Sequence, residues 1–84
     1  MTSPAEIQIL YFAALRETAG KEGETIALPN SATAASVYAQ LAAQYGFTLP
    51  QERLRCAVNH QFAAWETALN AGDILAFIPP VAGG

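Results

Sequence analysis

Eighty-four residues make one small domain and leave no room for a second core. Four Lys and Arg against seven Asp and Glu give a net charge of −3, so the clustered cations that a nucleic-acid surface needs are missing. The composition, 52% hydrophobic and 13% charged, is the reverse of a disordered chain's, and one Cys with one His excludes an internal disulfide and a Cys-based metal cage.

The first six residues lack the positive flank and apolar stretch of a secretory leader. No charge falls between Glu24 and Glu52, but Pro29, Asn30, Gln40, Gln44, Gly46 and Pro50 interrupt that run, so it does not read as a membrane span. A soluble, cytoplasmic domain that binds neither nucleic acid nor membrane is the expectation.

In chain order, Glu6 to Phe12 reads as a strand with Ile7, Ile9 and Tyr11 on one face and Gln8, Leu10 and Phe12 on the other. Residues 13–19 favour a short helix stopped by Gly20, and the polar residues 21–24 read as a turn before a second strand at 25–28. The main helix starts at Thr33 as N-cap and runs to Tyr45. Gly46 ends it, and Ala34, Val37, Tyr38, Leu41 and Tyr45 form its apolar stripe. Residues 47–53 read as a connector. A third strand covers 54–59, with Leu54, Cys56 and Val58 facing opposite to Arg55 and Ala57, and a weaker strand covers 61–65. Turn chemistry at 69–73, with Gly72 suited to positive φ, precedes a last strand at 74–78 that Pro79-Pro80 ends. One main helix over such a sheet makes a two-layer α+β domain in residues 1–78, in the element order of the β-grasp, followed by an extended tail at 79–84.

The glycines at 20, 23, 46 and 72 fit no phosphate-binding loop. His60, at a strand-to-turn boundary without a carboxylate partner nearby in sequence, reads as a surface histidine. Cys56 reads as a buried inert thiol. No active site of the chain's own is expected. Two features remain. By parity Leu10, Phe12, Ala57, Ala76 and Ile78, with Phe62 nearby, leave the face opposite the helix apolar, which suggests docking to another protein. The tail Pro-Pro-Val-Ala-Gly-Gly pairs a stiff extended segment with two residues lacking Cβ, a form that can thread into a narrow activating site.

The segments YFAALRE (11–17), TAASVYAQL (33–41), AVN (57–59) and LNAGDILAFIPPVAGG (69–84) resemble the small subunits of molybdopterin synthase, the MoaD-type, ubiquitin-like sulfur carriers. Ile78 departs from the family's usual second aromatic before Pro-Pro but keeps its apolar character. The resemblance implies that an E1-like enzyme uses Mg-ATP to adenylate the Gly84 carboxylate, and that a sulfur donor protein converts it to a thiocarboxylate. The tail (Pro79, Pro80, Val81, Ala82, Gly83 and Gly84) then enters the large synthase subunit, in a heterotetramer of two small and two large subunits. There the sulfur passes to cyclic pyranopterin monophosphate to build the molybdopterin dithiolene. Phe12, Phe62 and Ile78 would form the partner contact, and the chain itself would bind no cofactor or metal. A carrier of thiamine or another sulfur pathway, a ubiquitin-like protein modifier and a plain interaction domain are the alternatives.

Overall fold

A computed structural model describes residues 5–79. Its elements are β1 (Glu6–Tyr11), α1 (Ala13–Ala19), β2 (Gly23–Ala27), α2 (Ala34–Tyr45), a 3₁₀ turn (Gln51–Arg53), β3 (Arg55–Val58), β4 (Gln61–Ala63) and β5 (Ile74–Ile78). The five strands form one mixed sheet in the order β2-β1-β5-β3-β4. β1 runs parallel to β5, and the other pairs are antiparallel. With α2 across one face, this is the β-grasp, ubiquitin-like arrangement expected from the sequence.

α2 forms where its caps direct it. Thr33 Oγ1 accepts from the Ser36 N–H at 3.1 Å, and Ser36 Oγ accepts from the Thr33 N–H at 2.9 Å, so two otherwise orphaned donors are satisfied. Gly46, at φ 77, closes the other end through its N–H to the Ala42 carbonyl. The stripe of Ala34, Val37, Tyr38 and Leu41 is buried against Ile7, Ile9, Tyr11, Cys56, Leu75 and Phe77 of the sheet. Each buried large aliphatic here contributes about 1.5–3 kcal/mol by leaving water. Phe77 packs edge-on against Tyr38 at 5.1 Å and stacks with Trp65 at 6.1 Å between ring centres.

A polar cluster seals one margin of this layer. The hydroxyls of Tyr11 and Tyr45 both donate to Glu24 Oε2 at 2.6 Å, and Lys21 Nζ lies 3.5 Å from Oε1. Burial would raise the Glu24 carboxyl, but the two tyrosines and the Lys21 ammonium outweigh it and hold the group below the usual range. Burial, and then the hydrogen bond to Glu24, push the Tyr11 phenol far above its ordinary value.

Several boundaries differ from the sequence reading. β2 begins at Gly23, within the expected polar turn, because the Tyr11 N–H reaches the Glu22 carbonyl and Leu10 pairs with Gly23. A Cβ on Gly23 would stand 2.5 Å from the Ile9 carbonyl oxygen, so only glycine lets the two backbones approach this closely. The connector holds a 3₁₀ turn, closed by the Leu54 N–H to the Gln51 carbonyl, which removes Leu54 from β3. Asn59 leaves β3 because Asn59 and His60 (φ 53 and 71) form a tight two-residue hairpin loop, and β4 stops at Ala63, which pairs with Cys56. Pro79 is the one tail residue described. Pro80, Val81, Ala82, Gly83 and Gly84 lie outside the described residues.

Candidate functional site

The sheet face turned away from α2 is built in cross-strand rows. Strand pairing places Gly23, Leu10, Ala76, Ala57 and Phe62 in one continuous row across all five strands. The next row pairs Ile78 with Arg55. Alternation along each strand puts these residues opposite the core-facing Ile9, Tyr11, Cys56, Leu75 and Phe77.

The rows enclose a shallow depression of about 200 Å³ lined by Leu10, Phe12, Ala57, His60, Phe62, Ile74, Ala76 and Ile78. Ala57 and Ala76 form a low floor at its centre, and the larger side chains form its walls. Phe12 is 44% exposed and Phe62 59% exposed, the two large hydrophobic side chains most open to solvent among the described residues. Phe12 lies beyond the end of β1, at the N-cap of α1, rather than within the strand. Ala13 follows it at φ 51, a left-handed conformation that costs a non-glycine residue about 1–2 kcal/mol.

The structure thus brings Phe12, Phe62 and Ile78 to one surface. It adds Ile74 and His60, and it seats Arg55, which parity had placed on this side, against Phe62. The Arg55 guanidinium lies 3.9 Å from the centre of the Phe62 ring, a cation–π contact. His60 is exposed on the hairpin loop, as the sequence indicated for a surface histidine. Cys56 is buried on the opposite face, and burial pushes its thiol up, away from the reactive thiolate form. No cluster of three or more metal-ligating side chains occurs among the described residues.

One polar network anchors the margin of this face. Asn59 Nδ2 donates to Asp73 Oδ1 at 3.0 Å, and Asn59 Oδ1 accepts from the Ile74 N–H at 2.9 Å. The second Asp73 oxygen accepts from the Asn70 N–H at 2.8 Å. Asn59 and Asp73 therefore tie the β3–β4 hairpin to the turn that launches β5, with Gly72 at φ 88 completing that turn. In the sequence, AVN and GD were recognisable as segments; their pairing was not.

Residues 9–84 match the ThiS family. The chain belongs to the ThiS family. This ThiS-family chain is 33% identical to the molybdopterin synthase sulfur carrier subunit of Escherichia coli, over 93% of the chain and 99% of the relative. It is 35% identical to the subunit of that name from Mycobacterium tuberculosis, over 94% and 98%. Its fold is similar to that of small archaeal modifier protein 1 from Haloferax volcanii, with a TM-score of 0.77, 26% identity and coverage of 92% and 99%. No described helix of this ThiS-family domain is long and apolar enough to cross a membrane.

Proposed function

We propose that this chain is the sulfur-carrier subunit of a molybdopterin synthase. The observation that carries the reading is similarity over 93% and 94% of the chain to sulfur carrier subunits of that enzyme, beside a family match that spans residues 9–84. The apolar face supports it. A protein that is modified and then discharged by other enzymes needs a docking surface more than a catalytic pocket.

In this reading, an E1-like enzyme binds the Phe12–Phe62–Ile78 face and directs the tail to Mg-ATP. A Gly84 carboxylate oxygen attacks the α-phosphorus and pyrophosphate leaves, so the carbonyl now carries AMP, a far better leaving group than oxide. Sulfide-level sulfur delivered by a donor protein attacks the acyl carbon, the C–O bond to AMP breaks and AMP leaves, and the product is a thiocarboxylate. The large synthase subunit then takes the tail and the sulfur moves to cyclic pyranopterin monophosphate, two deliveries completing the dithiolene. Acid–base groups and the substrate pocket belong to the partners, which act in the cytoplasm. The reading assigns Pro79, Pro80, Val81, Ala82, Gly83 and Gly84 to the segment that enters the partners, where two residues without a Cβ suit a narrow passage.

Deleting Gly84 tests the assignment. The expected result is a folded domain that gains no sulfur by mass spectrometry and supports no molybdopterin formation. Normal output from the truncated chain would defeat it. The likeness to an archaeal modifier protein favours one second reading, conjugation of the tail to lysines. The same mass spectra separate the two, because conjugation yields adducts of protein size where sulfur loading replaces a single oxygen.

A further inference from the structure

The docking face carries the Arg55 guanidinium, which forms no ion pair with any of the described residues. The ion pairs among the described residues join Arg16 to Glu22 and Lys21 to Glu24, both away from Arg55. None of the eight residues lining the depression is a carboxylate. Arg55 pairs directly with Ile78 and its guanidinium stacks on Phe62, so the cation stands between two of the three side chains assigned to partner contact. A partner that covers Phe62 and Ile78 must therefore cover Arg55 as well.

That placement has an energetic consequence. A guanidinium in open water is well solvated, but one pressed under a partner loses water from its N–H edge while Phe62 occupies only its face. Without an acceptor the desolvation opposes binding; with a planar, bidentate acceptor it becomes a strong charge-assisted contact. Stacking on Phe62 also holds the fork in place beforehand, which reduces the ordering cost on association.

We propose that Arg55 is a specificity residue of the docking face, and that the large synthase subunit meets it with an Asp or Glu carboxylate at the rim of an apolar surface. The proposal rests on the sulfur-carrier reading and adds to it the chemistry that the partner must present. It also explains how an acidic chain makes a contact that is locally cationic. Lysine is a poor substitute, because a compact ammonium neither stacks as a plane nor presents a two-pronged edge.

The test measures binding of the full chain to the large subunit of the same organism's molybdopterin synthase at two salt concentrations. Arg55→Met keeps an apolar stem over Phe62 without the charge, and Arg55→Glu reverses it. Both variants should melt like the wild type, since Arg55 is exposed. Arg55→Met should bind about thirtyfold more weakly or worse and lose most of the salt dependence, and Arg55→Glu should bind more weakly still. Arg55→Lys should fall between the wild type and Arg55→Met. Equal affinity and equal salt dependence for wild type and Arg55→Met would overturn the proposal and leave the docking face intact as a purely apolar one. A wild-type chain that does not bind the large subunit would instead defeat the sulfur-carrier reading, and this inference with it.

Discussion

The two faces of the sheet are made of similar residues used in different ways. Against α2, Ile9, Leu75 and Phe77 are fully enclosed and interlock with a helix of the same chain. On the other face Leu10, Phe12, Phe62 and Ile78 stand around an alanine floor with no element of the described chain above them. Hydrophobicity alone does not distinguish core from interface; what covers the side chain does. The second face gives up folding stability that a helix could have supplied and leaves the apolar surface that the proposed function assigns to a partner.

The sharpest way to break this comparison is to truncate one aromatic on each face. Phe77→Ala should cost about 3–5 kcal/mol, a large share of what a small domain holds, and thermal or denaturant unfolding would register it. Phe12→Ala and Ile78→Ala should leave the melting temperature nearly unchanged yet weaken binding of the large subunit at least about tenfold, or about 1.4 kcal/mol. If Phe12→Ala unfolds the protein as severely as Phe77→Ala, the two faces are not functionally distinct.

A smaller effect concerns pH. The Glu24 carboxyl is lowered in the folded state, so its contribution is present above its ordinary value near 4.5 and is lost as pH falls through the folded value. Acid should therefore weaken the helix-covered layer, to which Tyr11 and Tyr45 belong. Glu24→Gln keeps an acceptor but no charge, and should flatten the fall in melting temperature between about pH 5 and 3. An unchanged acid profile would show that Glu24 does not couple this layer to protons.

Much of this was legible in the sequence wherever the determining contact is local. Alternation in residues 6–12 assigned Ile7, Ile9 and Tyr11 to the core, and Thr33 and Gly46 marked both ends of α2. Gly72 at positive φ followed from the turn at 69–73. What stayed hidden depends on pairing between distant segments. The true start of β2 rests on Gly23 meeting Leu10 across the sheet, and the Asn59–Asp73 contact joins residues that no periodicity relates. Arg55 was assigned correctly to the outer side, but its seat on Phe62 required the β3–β4 register. The 3₁₀ turn at 51–53 is too short to leave a periodic signal.

The position of β5 has a consequence for how the chain comes together. β1 pairs with β2 and β3 with β4, and β5 alone bridges the two pairs, as the middle strand of the sheet. Without it there are two isolated ribbons, each marginal in water. Closing the parallel β1–β5 ladder joins opposite ends of the sequence, a long loop whose entropy must be lost before the contacts form, so this step should be late and slow. A nascent chain therefore cannot assemble its docking face until the strand leading into Pro79 has been made. Under the proposed sulfur-carrier function, recognition by a partner would thus report that synthesis has reached the segment proposed for activation, and fragments ending earlier would present nothing to bind.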